Sequence, residues 1–277
     1  MIRLKNRFGK ANRKEMSWMS DLMETLRQEG ISPDLLCAVE EYRAAHALPE
    51  ALRPRIPASG FTYYGREVWE QALAALLCGE NLLLAGGKAT GKNVLAENLA
   101  AAFGRPAWDI SFHVNMDAAS LIGMDTFVDG AVTFRPGPVY RCAQCGGFGV
   151  LDEINMAKNE ALTSRFAVIQ MPTITEENLE KLLRAQFADL TDKYVHQFAL
   201  LFLDLQKKCD SAEISTKALD LRGMLDALRL MRRGVAAGPA LDMGITNKAF
   251  DSYEQGLIRD AIAARIPAQL TAAKLFG

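Results

Sequence analysis

Between Asn81 and Val94 the chain reads NLLLAGGKATGKNV. A short apolar run leads into glycines, and Gly86, four residues, Gly91 and Lys92 give the spacing G-x-x-x-x-G-K. Each residue type has a task. The glycines let backbone N–H groups turn inward around phosphate oxygens. The N-terminus of a following helix adds partial positive charge, and the lysine reaches the β- and γ-phosphates. Gly86, Gly87, Lys88, Ala89, Thr90, Gly91, Lys92, Asn93 and Val94 are therefore the candidate phosphate cradle. A hydroxyl usually follows the lysine and ligates Mg²⁺. Here the residue is Asn93, whose amide carbonyl is also a hard oxygen ligand.

About sixty residues on, GGFGVLDE ends an apolar run in two acids, Asp152 and Glu153. Beside a bound nucleotide the first acid of such a pair joins the Mg²⁺ shell, and the second orients and deprotonates an attacking water. Asn93 and Asp152 are thus the expected metal residues and Glu153 the expected base.

These groups need a scaffold. NLLLAG, PAWDISF, GFGVLDE and FAVIQM read as short strands, and such buried apolar runs suit a parallel sheet. REVWEQALAALLCG has helical periodicity and ends at Gly79, a C-cap; VLAENLAAAFG is helical too. TFVDGAVTF is a hairpin with Asp129-Gly130 at its turn. Before these, residues 16–47 read as two short helices, one starting at Ser32-Pro33-Asp34, and PEALRPRIPASG as a linker. From Thr175 onward the pattern is helical in four runs: EENLEKLLRAQFADL, KYVHQFALLFLDLQKKC, TKALDLRGMLDALRLMRRG and NKAFDSYEQGLIRDAIAARI. The expected organisation is an N-terminal helical segment with a Pro-rich linker over 1–60, an α/β core over 61–172 and a helical lid over 173–277.

Composition narrows the classes. The 277 residues are 49% hydrophobic and 23% charged, with 32 Lys plus Arg against 33 Asp plus Glu. That near-neutral balance offers no bulk attraction to nucleic acid. Five cysteines do not suggest a disulfide scaffold, no apolar run approaches membrane length, and the basic start MIRLKNRFGKANRKE lacks the apolar stretch of a secretory signal. The cytoplasm is the default compartment. Cys142 and Cys145 form a C-x-x-C with no second pair at zinc spacing, and packed thiols in a helix are the favoured reading. His113, Arg135 and Arg141 read as loop or surface residues, and RLMRRG closes a helix.

Read in order, YYGRE (Tyr63 to Glu67), GGKATGKN, LIGMDTF, FRPGPVYR, GGFGVLDEINMAKNEAL, TSRFAVIQMP and STKALDLRGMLDALRL resemble the AAA+ ATPases, and within them the MoxR-like (dynein-related, AAA_5-type) group. The resemblance spans about Tyr63 to Arg265. It implies a P-loop NTPase αβα core with an all-α lid, ATP and Mg²⁺ as cofactors, and a homo-oligomeric ring, usually a hexamer, that remodels a protein client. It also implies a partner with a von Willebrand factor A-like domain. Tyr64 and Gly65 would lie near the adenine, and Arg165 matches the arginine finger that reaches a neighbouring subunit's phosphate. The second sensor matches either Lys217 or Arg222.

One departure stands out. Family members carry about fifty more residues between the LDEIN and SRF motifs, including the sensor-1 strand whose polar end positions the attacking water. Here only Glu153 to Arg165 separate the two apolar runs, with a single NEAL at Asn159–Leu162. An internal deletion is the simplest reading. The missing strand normally lies between the NLLLAG strand and the Asp-Glu strand, so the sheet must either close up or stay split beside NLLLAG. Nucleotide binding survives on this reading and hydrolysis is impaired. The rivals are a nucleotide-binding regulatory or structural subunit without turnover, and a P-loop phosphotransferase, against which the lid and the SRF arginine speak.

Overall fold

The computed structural model describes residues 21–113, 116–128, 130–154 and 166–277. Two compact units emerge. The first runs to Ala85 and resumes over Gly91–Gln170; the second takes in Gly86–Thr90 and Met171–Gly277.

In the first unit, helical residues 21–28 lead into α1 (Pro33–Ala45), which has proline at its start and buries Leu36 and Val39. The Ser32 N–H donates to the Glu70 carboxylate at 3.0 Å, which ties α1 to α2 (Arg66–Leu77). Helix α2 turns Val68, Trp69, Ala72 and Leu73 inward, a helical stripe. It ends as its sequence predicts: Gly79 takes φ +82°, and the Glu80 N–H donates to the Ala75 carbonyl. The proline-rich connection contains a 3₁₀ turn over Glu50–Arg55.

Strand β1 (Leu82–Ala85), helix α3 (Lys92–Ala102) and strand β2 (Ala107–Ser111) follow. A short α4 (Ala118–Ile122) leads into the hairpin β3 (Gly123–Val128) and β4 (Ala131–Pro136). Its antiparallel register runs from Gly123↔Pro136 to Val128↔Ala131. Gly130 at the turn has φ +80°, as a two-residue hairpin connection requires. Phe127 and Val132, opposite each other, are 75% and 70% exposed. Helix α5 (Pro138–Cys145) carries both thiols of the C-x-x-C; the Cys142 Sγ–H donates to the Gly147 carbonyl at 3.0 Å, and burial pushes its pKa up. Strands β5 (Phe148–Asp152) and β6 (Ala167–Gln170) complete the unit.

All four strands of the parallel set form, but they do not make one sheet. β1 pairs with β6 in parallel, Leu82↔Ala167 to Ala85↔Gln170. β2 pairs with β5 in parallel, Ala107↔Phe148 to Ser111↔Asp152. Among the described residues no ladder joins these pairs, so the strands ending at Asp152 and beginning after Phe166 are not neighbours. Burial agrees with the split. Leu82, Leu83 and Leu84 are all only half-buried, as are Val150 and Leu151, whereas interior parallel strands are normally covered on both faces.

The second unit is helical: α6 (Glu176–Gln186), α7 (Asp192–Asp210), α8 (Leu221–Arg232), α9 (Ala237–Gly244), α10 (Ser252–Arg265) and α11 (Ala272–Leu275). Its core is closed around α7, where Val195, Phe198, Ala199 and Leu201 are fully buried. Helices α8 and α9 touch through glycines. A Cβ on Gly223 would stand 2.0 Å from the Gly244 carbonyl oxygen, so no larger residue fits either helix there.

Two expected helix starts are corrected in this unit, and one helix is added. The helix expected from TKAL starts only at Leu221, because the Asp220 side chain accepts the Arg222 N–H at 3.0 Å and caps the helix there. The last long helix starts at Ser252 rather than in NKAF, for the same reason at Asp251. Helix α9, within AAGPALDMG, lies outside the four expected runs; Gly238 and Pro239 fall in its first turn, where proline is tolerated. Among the described residues no helix is long and apolar enough to cross a membrane.

Candidate functional site

The phosphate loop begins where β1 ends. In the second unit's stretch, Gly86 has no room for a side chain: a Cβ would lie 2.9 Å from the Met171 Cβ and 3.0 Å from its carbonyl oxygen. Ala89 holds the left-handed φ +61°, a conformation that costs a non-glycine residue about 1 kcal/mol or more. Thr90 is buried, and its hydroxyl donates across the loop to the Gly87 carbonyl at 3.0 Å. The Lys88 ammonium donates to the Thr216 carbonyl at 2.8 Å.

The remainder of the loop belongs to the first unit. Gly91 has φ +83° and occupies the N-cap of α3. Lys92 is the first residue of that helix, whose N-terminus carries partial positive charge. One residue on, the Asn93 Nδ2 donates to the Asp152 Oδ2 at 3.2 Å. The two residues expected to share a metal are therefore brought together, although one is on the loop helix and the other at the end of β5. The Glu153 N–H donates to the Asp152 Oδ1 at 3.0 Å, and Glu153 itself sits at φ +55°. Ala89 and Glu153 are two of three non-glycine residues with positive φ among those described, and strain of this kind collects at functional positions.

The donor set suits Mg²⁺. A carboxylate and an amide carbonyl are hard oxygen ligands of the kind that ion takes, with water completing its shell. Rotation of the Asn93 amide would present Oδ1 in place of Nδ2. Gly86 and Gly91 are both positions that a side chain could not occupy, against Met171 and the Tyr63 ring respectively.

Residues Phe61–Gly65 run alongside α3, and the Tyr63 ring packs on the loop: a Cβ on Gly91 would lie 3.0 Å from it, and one on Gly65 2.9 Å. Burial raises the Tyr63 pKa. Tyr64 is half-buried beside it. Of the two second-sensor candidates, Lys217 lies in the turn before α8 with its ammonium 4.7 Å over the Phe250 ring, and Arg222 is exposed in the first turn of α8. Arg165 and the NEAL segment lie outside the described residues. Arg135 and Arg141 are exposed.

Sequence reasoning missed Asn98, whose amide binds both Phe61 and Tyr63. A signal was available. Leu95, Asn98, Leu99 and Ala102 lie on one face at helical spacing, so a polar side chain sits on an otherwise apolar stripe and needs a partner.

Residues 81–220 match the family model for the AAA domain, dynein-related subfamily. This chain belongs to that family. The membership brings an AAA+ ATPase-type nucleotide-binding domain with a phosphate loop. Among similar curated proteins is the uncharacterized protein YojN of Bacillus subtilis (strain 168), 27% identical over 302 aligned positions that cover 90% of this chain and 97% of that protein. An uncharacterized protein of Staphylococcus haemolyticus is 27% identical over 248 positions, covering 70% of this chain and 94% of its own length. One from Staphylococcus aureus (strain NCTC 8325 / PS 47) is 26% identical over the same shares.

Proposed function

We propose that this chain is a MoxR-like AAA+ ATPase that binds ATP with Mg²⁺, assembles as a ring and remodels a protein client, with hydrolysis impaired by the loss of its sensor-1 segment. The observation that carries the reading is a contrast inside one site. The phosphate loop is complete, and Asn93 meets Asp152 at 3.2 Å, yet the strands bearing the two motifs share no ladder. The similarity to relatives supports the deletion. The 302 positions aligned with the Bacillus protein contain only about 249 residues of this chain, 90% of 277. About fifty residues of that relative therefore face gaps. The staphylococcal alignment leaves about the same excess, 248 positions against 70% of 277.

The roles follow from the chemistry. Backbone N–H groups of Gly86–Gly91 and the α3 N-terminus bind phosphate oxygens, and Lys92 adds a charge-assisted contact. Asn93 and Asp152 would hold Mg²⁺, which supplies neutralisation of phosphate charge. Glu153 holds and deprotonates the attacking water. Tyr64 and Gly65 lie at the base, Lys217 or Arg222 senses the nucleotide from the lid, and Arg165 acts on a neighbouring subunit's phosphate. A hexamer and a von Willebrand factor A-domain partner complete the proposal by analogy with the group. The split ladder favours a second reading, a nucleotide-binding regulatory subunit without turnover. A missing strand removes the polar end that positions water, and small misplacements at a reacting centre cost on the order of a hundredfold.

Calorimetry with ATP and Mg²⁺, set beside a turnover assay, tests both readings. Wild type should bind, and Lys92→Ala should lose about 1.5–3 kcal/mol of affinity. Equal affinity of the two would remove the phosphate-loop assignment. Measurable turnover that Arg165→Ala abolishes would favour the impaired ATPase, whereas tight binding with no turnover would favour the regulatory subunit.

A further inference from the structure

Asn98 is fully buried in the middle of α3, yet it does no work for its own helix. Its Oδ1 accepts the Tyr63 N–H at 2.8 Å, and its Nδ2 donates to the Phe61 carbonyl at 2.9 Å. One amide side chain thus pairs with a donor and an acceptor of an extended segment, as a neighbouring strand would. From the other side, the Trp69 indole N–H donates to the Tyr63 carbonyl at 2.9 Å, with Trp69 itself buried. Tyr63 is therefore held at both its N–H and its carbonyl, and its ring contacts the glycine that starts the phosphate-loop helix.

We propose that Asn98 is a positioning residue for the nucleoside part of the ligand: it fixes Phe61–Gly65 to the phosphate-loop helix so that the base-side segment is preorganised beside the helix N-terminus at Gly91–Asn93. The inference rests on the nucleotide-binding reading above and goes beyond it by assigning a residue that touches neither phosphate nor base. The alternative, a purely structural amide, is separable. The clamp secures residues 61–65, whereas the phosphate contacts come from 86–93. Loss of the clamp should weaken a ligand that carries a base and spare one that does not. A buried amide whose partners lose their bonds is costly to remove, and ordering a loose segment on binding weakens affinity directly.

The test is calorimetry on the full chain with two probes, ATP and inorganic tripolyphosphate, each with Mg²⁺. Wild type should bind ATP more tightly than tripolyphosphate. Asn98→Ala should weaken ATP about tenfold or more while changing tripolyphosphate by less than about twofold. A circular-dichroism melt establishes that the variant is folded. If it is not, Trp69→Phe replaces it; this removes one hydrogen bond on Tyr63, leaves Asn98 intact and should cost several-fold in ATP affinity alone. Unchanged ATP affinity, or a parallel loss for both probes, overturns the inference. If wild type binds both probes equally, the base contributes nothing; the inference falls and the phosphate-loop reading stands. If wild type binds neither, the nucleotide reading itself has failed.

Discussion

The helical unit and the parallel strands of this protein were built to the same rule, apolar residues at the right period, with different outcomes. In the helical unit the rule is satisfied: Phe198, Phe202, Leu179, Leu183 and Met224 are at most 2% exposed. In the strands it is not. Leu82–Leu84, Val150 and Leu151 are as apolar as any core residue but remain half-buried, and their strands pair into two separate ladders. A helix satisfies its backbone internally and needs a neighbour only for one face. A parallel strand needs a neighbour on each edge and cover on each face. Leaving out one element would therefore cost a sheet more than it would cost a bundle.

Single core residues should show the difference most plainly. Phe198→Ala should destabilise by about 3–5 kcal/mol, the range for truncating a buried aromatic. Leu83→Ala should cost less, about 1–2 kcal/mol, because its side chain is already partly exposed and less transfer energy is lost. Urea melts of the two variants decide the matter. Equal costs would mean that the strand is buried as completely as the helix, and the contrast would be void.

A second experiment acts on the strands directly. Inserting the corresponding segment of a relative after Leu162 should raise turnover on the order of a hundredfold, the scale on which misplacement of reacting groups is felt, and should raise the melting temperature as well. ATP affinity should change little, since the phosphate loop is already complete. If the chain as it stands hydrolyses ATP as fast as the repaired one, another group positions the water and the split sheet has no catalytic consequence.

Much of this was legible in the sequence because it is local. The strands, the hairpin turn at Gly130, the Gly79 cap and the G-x-x-x-x-G-K loop are each specified within a few residues, and all appear where expected. The short crossover after Asp152 also announced that the strands could not all pair in the usual way. What stayed hidden is non-local or conditional. Which strand pairs with which depends on the whole sheet. Asn98 gained meaning only when Phe61 and Tyr63 arrived beside it from 35 residues or more away. The starts of α8 and α10 were placed too early because periodicity extends through Thr216–Asp220 and Asn247–Asp251, while the capping aspartates set the true boundary. The Ala237–Gly244 helix lay outside the four helical runs; its Gly238 and Pro239 fall in the first turn, where their cost is small.

Asp220 caps α8 and pairs with Lys248. Burial pushes its carboxyl pKa up, but the hydrogen bond and charge of Lys248, with the N–H groups of Gly223 and Arg222, outweigh this and hold it below the ordinary value. A carboxylate with a lowered pKa stabilises the folded state fully above its unfolded value, near pH 4. That stabilisation is lost as pH falls through the lower folded value. Asp220→Ala should therefore cost about 1 kcal/mol at pH 7, the usual worth of an N-cap, and the gap between wild type and variant should narrow steadily below about pH 4. Urea melts of both proteins between neutral pH and the acid limit of folding measure that gap. A gap that stays constant down to that limit would assign the loss to the shape of the side chain rather than to its charge, and the helix start would then rest on packing at Leu219 and Met224, both buried.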